Sequence, residues 1–187
     1  MFLSLIVPAY NEEKTIAGTI TKLSEYFTKQ GFAFEILVVD DGSKDGTIAA
    51  AEKEATKYQN VRVLRSPRNQ GKVGACQIGA LSATGDWWLF LDADLSTQPE
   101  EYEKLVPHMA MHDVVIGSRC LPDSVVTIHQ PYYREQVGRL LNRIFRITMG
   151  LPFADTQCGF KIYHKKTRAV FVEQRVTGWM FEVETLY

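Results

Sequence analysis

The chain has 187 residues, 45% of them hydrophobic and 23% charged, which is enough apolar side chain for one globular domain and excludes a disordered chain. Its formal net charge is −1, but residues 1–115 carry 11 basic and 16 acidic side chains, whereas residues 116–187 carry 10 basic and 6 acidic. Cys76, Cys120 and Cys158 have no metal-ligand spacing and are odd in number, which argues against a disulfide framework and a zinc site.

Short runs of apolar and β-branched residues alternate with helical patterns along most of the chain. The predicted strands are Leu3–Pro8, Phe34–Val39, Val61–Leu64, Trp87–Leu91 and Val114–Ile116. Helices are expected near residues 12–29, 45–58, 71–84 and 99–111. This alternation predicts an α/β fold with a mostly parallel sheet and helices on both faces. We expect a single domain over residues 1–187, because no repeat, low-complexity tract or linker interrupts the pattern.

Polar residues follow four of the predicted strands at the point where each strand ends. They are Tyr10-Asn11-Glu12, Asp40-Asp41-Gly42-Ser43, Asp92-Ala93-Asp94 and Ser118-Arg119. The carboxyl ends of parallel strands meet at one edge of a sheet, where open α/β sheets bind their ligands. We therefore expect these four clusters to converge on one site.

The most informative cluster is Asp92-Ala93-Asp94, which ends a buried strand. Side chains alternate along an extended backbone, so both carboxylates project to the same side. Like charges this close are costly unless a cation lies between them, and carboxylate oxygens suit Mg²⁺ or Mn²⁺. Such a metal would bridge diphosphate oxygens and neutralise a departing group. The alternative is a solvated turn, in which Asp is common.

Several common signatures are missing, which narrows the function. The chain has neither G-x-G-x-x-G after its first strand nor G-x-x-x-x-G-K-[ST], which argues against a nicotinamide dehydrogenase and a P-loop phosphotransferase. No basic region precedes the first apolar run, so the pattern does not indicate a signal peptide. No stretch approaches the roughly 20 apolar residues that span a bilayer, so any work at a membrane is expected from its surface.

Six motifs, in order along the chain, resemble those of family-2 glycosyltransferases. They are Val7-Pro8-Ala9-Tyr10-Asn11-Glu12-Glu13, Val39-Asp40-Asp41-Gly42-Ser43, Asn69-Gln70-Gly71-Lys72, Asp92-Ala93-Asp94, Gly117-Ser118-Arg119 and Asp155-Thr156-Gln157-Cys158-Gly159-Phe160-Lys161. Within that family the chain most resembles the polyprenyl-phosphate sugar transferases of the dolichyl-phosphate β-glucosyltransferase type. The resemblance implies a Rossmann-like type-A glycosyltransferase fold and a nucleotide-sugar donor.

The resemblance also implies which residues bind that donor. Those that would line the nucleoside pocket are Pro8, Ala9, Tyr10, Glu12 and Asp41. Asp92, Ala93 and Asp94 would hold the donor diphosphate, with the two carboxylates as ligands of Mg²⁺ or Mn²⁺. Lys72 would add positive charge near the nucleotide, or is an exposed surface lysine.

A polyprenyl phosphate, either dolichyl or undecaprenyl, is the implied acceptor. A lipid monophosphate is largely ionised already, so it needs positioning more than deprotonation, and guanidinium groups bind phosphate bidentately. Arg119 and Arg134 match the positions that the family uses for this purpose, and with Asp94 they are the predicted catalytic residues. The expected reaction is an inverting, in-line transfer of a hexose, namely glucose from UDP-glucose.

A predicted helix after Arg134 is amphipathic. Its apolar face carries Val137, Leu140, Leu141, Ile144, Phe145 and Thr148, and a basic stripe carries Arg139, Arg143 and Arg146. Such a helix lies in a membrane interface or simply covers the sheet, and the resemblance favours the interface. The implied partners are then the nucleotide sugar, the lipid acceptor and a membrane surface, not nucleic acid. The implied location is the cytoplasmic face of a membrane, where the protein would be peripheral.

The chain stops inside a motif that relatives continue, so we expect a catalytic domain truncated at its C-terminus. Mannosyl transfer from GDP-mannose to polyprenyl phosphate is one alternative function. Transfer to a sugar hydroxyl is another, and it would need a general base, for which Asp155, Glu182 and Glu184 are candidates unless they are structural. A processive polysaccharide synthase is disfavoured because its Q-x-x-R-W motif is absent. A non-catalytic module that binds nucleotide or membrane is the non-enzyme alternative.

Overall fold

In a computed structural model that describes residues 1–121, 124, 138, 143, 147, 150, 155–175 and 184–186, six strands form one sheet. The strands are β1 (Phe2–Ala9), β2 (Ala33–Asp40), β3 (Val61–Arg65), β4 (Trp87–Phe90), β5 (Val114–Ile116) and β6 (Lys161–His164). The α-helices are α1 (Ile16–Lys29), α2 (Thr47–Ala55), α3 (Gly71–Ser82), α4 (Tyr102–Met109) and α5 (Arg168–Glu173). Short 3₁₀ helices precede α4 and α5, at Pro99–Glu101 and Lys165–Thr167.

The strand order is β3-β2-β1-β4-β6-β5. β1 pairs in parallel with both β2 and β4, and β2 pairs in parallel with β3. β6 is antiparallel to β4 and to β5, so β5 points the same way as the first four strands. The five predicted strands and the mostly parallel sheet are therefore confirmed. The order in which strands are added to the sheet reverses at β1, because β2 and β3 lie on one side of it and β4 on the other. The expected ligand crevice is therefore at the carboxyl ends of β1 and β4.

The sequence patterns predict no strand at β6, and the structure corrects this. The strand begins with Lys161 and ends with His164. Because these two basic residues flank only two apolar ones, the sequence shows no recognisable strand pattern here. Lys161 lies opposite Phe90 of β4 and Ile116 of β5. Just beyond this pairing, the Gly117 N–H donates a 2.9 Å hydrogen bond to the Phe160 carbonyl. β6 therefore fills the space between β4 and β5.

Helices cover both faces of the sheet, as predicted. On one face α1 buries Ile16, Ile20, Leu23 and Phe27 at helical spacing, and α2 and α4 complete this layer. On the other face α3 and α5 pack together, with Phe171 of α5 fully buried. β1 is buried on both faces, which explains why its sequence is a nearly continuous apolar run rather than an alternating one.

Glu35 anchors a polar network at the amino ends of the parallel strands, and it is only 6% exposed. Its Oε1 accepts hydrogen bonds from Ser4 Oγ, Thr84 N and Thr84 Oγ1, each at 2.7 Å, and its Oε2 accepts one from Arg62 at 3.1 Å. Burial raises the pKa of Glu35, but these hydrogen bonds outweigh burial and hold the pKa below its ordinary value. The Glu35 carboxylate at this edge of the sheet is thus fully used by hydrogen bonds from protein groups.

Candidate active site

The loops after β1 and β2 are joined by hydrogen bonds at the opposite, carboxyl edge. Asn11 adopts a left-handed conformation with φ 56°, and its N–H donates to Ser43 Oγ at 3.0 Å. The Asn11 side-chain carbonyl accepts from Lys44 N at 2.9 Å, and Glu12 N donates to Thr47 Oγ1 at 2.7 Å. Asn tolerates positive φ better than most residues, which suits it to this turn. The two predicted nucleoside loops therefore form one unit.

Asp40 and Asp41 lie beneath these loops, 1% and 2% exposed. Asp41 Oδ1 accepts a 2.8 Å hydrogen bond from the backbone N–H of Gln70, which fixes the loop before α3. Asp40 Oδ2 accepts from the N–H groups of Gly42 and Ser43, while its buried Oδ1 has no hydrogen-bond partner among the described residues. Two carboxylates thus support the floor of the predicted nucleoside pocket.

The predicted nucleoside residues lie together at this edge but differ in exposure. Tyr10 is exposed, Pro8 and Glu12 are half-buried, and Ala9 and Asp41 are buried. Ala9 and Asp41 are also linked directly, because the Asp41 N–H donates to the Ala9 carbonyl at 2.9 Å. The structure therefore brings the predicted set together, with Tyr10 on its outer surface.

The Asp92-Ala93-Asp94 run forms a tight turn immediately after β4. The Leu95 N–H donates to the Asp92 carbonyl at 3.0 Å, and Leu95 itself has a left-handed φ of 49°. Ala93 and Leu95 are buried, whereas Asp92 is half-buried and Asp94 is exposed. Asp94 Oδ1 accepts one hydrogen bond, from Ser96 N at 2.9 Å. The turn therefore anchors its apolar residues in the core and presents both carboxylates to solvent.

Lys72 is part of this site. It lies in the first turn of α3, and its Nζ is 2.6 Å from Asp92 Oδ1. Gly159 packs against the pair so closely that a Cβ there would lie 2.7 Å from Asp92 Oδ2 and 2.9 Å from Lys72 Nζ. Lys72 and Gly159 also line a small pocket together with Pro8. Glycine is therefore required at position 159 for the ion pair to keep this geometry.

The donor atoms of Asp92 and Asp94 fit a divalent cation. They are carboxylate oxygens, the ligand type that Mg²⁺ and Mn²⁺ prefer; those of Asp94 are exposed, while Asp92 Oδ1 is paired with Lys72 in this structure. Within the part of the chain that the structure describes, no three His, Cys, Asp or Glu side chains group as a complete metal cage. Mg²⁺ is commonly bound by one or two carboxylates together with substrate phosphates, so a two-carboxylate site suits a metal that arrives with a diphosphate.

Arg119 follows β5 at the same edge and is held by Asp155. Arg119 Nε and one terminal nitrogen donate to the carboxylate at 2.9 and 3.2 Å, and the Arg119 backbone N–H donates to it at 3.1 Å. The side chain of Arg119 is 53% exposed and that of Asp155 5%. Burial raises the pKa of Asp155, but the hydrogen bonds and charge of Arg119 outweigh it and keep that pKa below its ordinary value. Asp155 is thus arranged as a holder of Arg119 and is a weak proton acceptor.

Some predicted residues lie outside the described part of the chain, namely Arg134 and Glu182. Glu184 is described, and its Oε1 accepts a 3.1 Å hydrogen bond from Arg175 N. Of the predicted amphipathic helix the structure describes Gly138, Arg143 and Ile147, all of them exposed. Among the described residues, no helix has the combination of length and apolar character needed to cross a bilayer.

Lys161 has no role in the predictions, yet it is 2% exposed beside the site. Its Nζ donates a 3.1 Å hydrogen bond to the Thr156 carbonyl, within the loop that carries Asp155 and Gly159. Burying a lysine is costly, so a buried lysine is held by several polar contacts or performs a task. A lysine inside the apolar run Phe160–Tyr163 is the sequence signal that could have drawn attention to it.

Comparison with known proteins places this geometry in context. Residues 4–170 match the sequence profile described as Glycosyl transferase family 2. Similar proteins include dolichyl-phosphate beta-glucosyltransferases of Drosophila melanogaster, 34% identical, and of Homo sapiens and Trichomonas vaginalis, each 33% identical. These alignments cover 99%, 99% and 100% of this chain. The chain spans 61%, 62% and 61% of the length of these relatives.

Solved structures share the fold. Glucosyl-3-phosphoglycerate synthase from Mycobacterium tuberculosis superposes with a TM-score of 0.71 at 23% identity, covering 99% of this chain and 64% of that one. The same synthase in complex with Mn²⁺, UDP and glucosyl-3-phosphoglycerate gives 0.70 at 21% identity, covering 99% and 63%. TarS of S. aureus gives 0.58 at 26% identity, covering 100% and 55%. The expected type-A glycosyltransferase fold is confirmed.

Proposed function

The chain belongs to glycosyl transferase family 2, and we propose that it transfers glucose from UDP-glucose to a polyprenyl phosphate, dolichyl or undecaprenyl, with inversion. The observation that carries the choice of acceptor is the Arg119–Asp155 ion pair. In this pair the Arg119 guanidinium is exposed at the site. The Asp155 carboxylate, which a hydroxyl acceptor would need as a base, is already bound to Arg119. An acceptor that is already ionised matches this arrangement, and the dolichyl-phosphate relatives support it.

We assign the donor to the crevice between the joined β1 and β2 loops and the carboxylate turn. Tyr10 offers the exposed surface for the nucleoside, and Asp41 supports the pocket from beneath. The diphosphate would lie beside Lys72, whose ammonium group is already at the carboxylate turn. Its positive charge offsets the negative charge that grows on the diphosphate as the glycosidic bond breaks.

Asp92 and Asp94 would hold the Mg²⁺ or Mn²⁺ ion. When bound, the ion would neutralise charge on the departing nucleoside diphosphate. The protein residues have the remaining tasks, which are to bind the nucleoside, to orient the anomeric carbon and to hold the acceptor in line. Gly159 contributes by leaving room for Asp92 and Lys72 to keep their positions.

Arg119 would orient the lipid phosphate for attack. Asp155 accepts two hydrogen bonds from one side of the Arg119 guanidinium and so fixes the plane of that group. The other side of the guanidinium is left for a phosphate oxygen. A bond forms between that oxygen and the anomeric carbon, and the bond from this carbon to the donor diphosphate breaks. Arg134 is proposed as the second phosphate-binding arginine. Residues 1–187 would then form a catalytic domain that works peripherally at the cytoplasmic face of a membrane.

Calorimetric titration with UDP-glucose, GDP-mannose and UDP-N-acetylglucosamine, with Mn²⁺ and then with a chelator, tests the donor. We expect Mn²⁺-dependent binding that prefers UDP-glucose. A preference for GDP-mannose would contradict glucosyl transfer and support mannosyl transfer instead. Absence of binding to every donor, in a sample with a cooperative unfolding transition, would contradict the proposal.

Turnover assays test the acceptor. UDP-glucose is supplied with undecaprenyl phosphate, with dolichyl phosphate or with a simple sugar, and the glucosylated product is separated and identified. We expect a β-linked glucosyl phosphate lipid. Glucose transferred to the sugar hydroxyl and not to the lipid would overturn the assignment of Arg119 as a phosphate-binding residue.

A further inference from the structure

Thr19, at the end of the first turn of α1, reaches across to the carboxylate turn. It is 4% exposed, and its Oγ1 donates a 2.5 Å hydrogen bond to the backbone carbonyl of Ala93. Ala93 is the residue between the two predicted metal ligands. The hydroxyl also lies 3.2 Å from the Thr15 carbonyl of its own helix, but it has one proton to donate, and the shorter contact takes it.

The turn's own hydrogen bonds define its shape but not its place relative to α1. The Leu95 N–H bonds back to the Asp92 carbonyl, and the Ser96 N–H bonds to the Asp94 side chain. Ala93 and Leu95 pack in the core, but apolar packing is not directional. A hydrogen bond to the Ala93 carbonyl fixes the peptide plane between the carboxylates, because its strength falls steeply as the geometry departs from linear.

The same helix also holds the nucleoside loop. Thr15 N and Ile16 N donate to the Glu12 carbonyl at 3.1 and 3.0 Å, and Thr15 Oγ1 donates to the Glu12 side chain at 2.5 Å. One helical turn later, Thr19 holds the carboxylate turn. A helix is stiff over one turn, so α1 sets the distance between the two halves of the donor site.

We propose that Thr19 is a positioning residue, which places Asp92 and Asp94 for the metal and for the donor diphosphate through the Ala93 carbonyl. The proposal rests on the proposed function insofar as it needs a metal and a diphosphate at this turn. Without the hydroxyl, the buried Ala93 carbonyl loses its partner, and the turn loses its one direct hydrogen bond to α1 among the described residues. An indirect link remains, from Lys22 of α1 through Gln98 to the Leu95 carbonyl, but it does not reach the peptide between the two carboxylates. We therefore expect a clear loss of affinity for the metal in the presence of nucleotide, with only a small loss in the free energy of unfolding.

The chain offers a matched control on the same helix. Thr21 Oγ1 also contacts the carbonyl four residues earlier, at 3.1 Å, and also makes one bond to another element, at 2.8 Å to Glu54. Thr21→Val therefore also removes one contact within α1 and one hydrogen bond to another element, in this case to a carboxylate, away from the carboxylate turn. Thr19→Ser keeps the hydroxyl and tests whether the hydrogen bond, rather than the methyl group, matters.

The first measurement is binding of Mn²⁺ in the presence of UDP, followed by electron paramagnetic resonance of free Mn²⁺ or by calorimetry, with the thermal midpoint of each variant as the check on folding. We expect Thr19→Val to raise the Mn²⁺ dissociation constant about fivefold or more, the equivalent of one ordinary hydrogen bond. Thr19→Ser and Thr21→Val should stay near the wild type. If Thr19→Val does not fold, Thr19→Ala is measured in its place.

Equal Mn²⁺ affinity in Thr19→Val and Thr21→Val would overturn the positioning role while leaving the proposed function intact. Failure of the wild-type chain to bind Mn²⁺ with UDP would overturn both. In turnover, the positioning role predicts that the KM for UDP-glucose and the Mn²⁺ requirement rise more than kcat falls. A purely structural role would instead lower the thermal midpoint with unchanged Mn²⁺ affinity.

Discussion

The two edges of the sheet use carboxylates in opposite ways. At the amino edge, Glu35 is 6% exposed and accepts four hydrogen bonds from protein groups. At the carboxyl edge, the Asp94 side chain is exposed and accepts one described hydrogen bond, from the Ser96 backbone N–H, while Asp92 is half-buried and paired with Lys72. The same chemical group therefore serves as a closed structural anchor at one edge and as an available ligand at the other.

Groups that stabilise the fold and groups placed for a ligand therefore lie at different edges of this sheet. A buried carboxylate contributes to stability only when protein donors satisfy it, and removing it leaves those donors without partners. A carboxylate meant for a metal must keep oxygens free and accessible, so it contributes little to folding. Substitutions at the amino edge should consequently change the free energy of unfolding, and substitutions at the carboxyl edge should change donor binding and turnover.

The largest effect is expected for Asp94→Asn. Loss of a metal-ligating carboxylate should lower kcat/KM for UDP-glucose roughly a thousandfold, about 4 kcal/mol of transition-state stabilisation. The free energy of unfolding should change by less than about 0.5 kcal/mol, because the side chain is exposed. Asp113→Asn, at another exposed carboxylate, is the control and should change neither quantity. Full activity of Asp94→Asn would remove this residue from the site.

Glu35→Ala should have the next largest effect, on stability alone. Its loss leaves the hydroxyls of Ser4 and Thr84 and the guanidinium of Arg62 without their acceptor, at a cost of about 3 kcal/mol. Urea unfolding measures this change, and calorimetry should find the Mn²⁺-dependent affinity for UDP-glucose unchanged at a temperature where the variant is folded. A weakened donor affinity would mean that the two edges are coupled.

A pair of glycine substitutions sharpens the comparison further. In Gly159→Ala the new Cβ meets the mobile ends of Asp92 and Lys72, which can move aside, so we expect about tenfold weaker donor binding with little loss of stability. In Gly85→Ala the new Cβ meets backbone atoms of Phe2 and Ser4 at 2.8 Å, which cannot move freely. This variant should lose about 1–3 kcal/mol of stability and keep its donor affinity when folded. The reverse pattern would refute the separation.

The smallest effect concerns pH. Because the folded-state pKa of Glu35 lies below its ordinary value, its ionised form contributes stability that is fully present above the ordinary pKa and is lost as the pH falls through the folded-state pKa. Urea unfolding between pH 7 and pH 3 should therefore show a difference between wild type and Glu35→Gln that shrinks toward acid. A difference that stays constant with pH would show that the charge of Glu35 is not what stabilises this edge.

The regular part of the fold could be predicted because its signals are local. β1 and β2 are long apolar runs, and α1 repeats its apolar residues at helical spacing. β6 was not predicted because it has only four residues, two of them basic, which is too short for a recognisable strand pattern. Its position depends instead on pairing with β4 and β5, at Phe90 and Ile116, which are distant in sequence.

The site was predictable where its chemistry resides in side chains that form a motif. Asp92 and Asp94 fall in this class. The pairing of Arg119 with Asp155 was not predictable, since each residue alone suggests a different role and their contact spans 36 positions. Thr19 leaves no signal at all, because its partner is a backbone carbonyl, a group that every residue carries.

A backbone hydrogen bond between Gly117 and Phe160 joins the end of β5 to the start of β6. These residues lead out of β5 and into β6, and their 2.9 Å hydrogen bond brings the departing and returning chain to one point. An excursion with fixed ends can be lengthened, shortened or exchanged at small entropic cost and without disturbing the strands that flank it. Changes in the length of the chain between residues 117 and 160 should therefore leave the pairing of β5 with β6 intact.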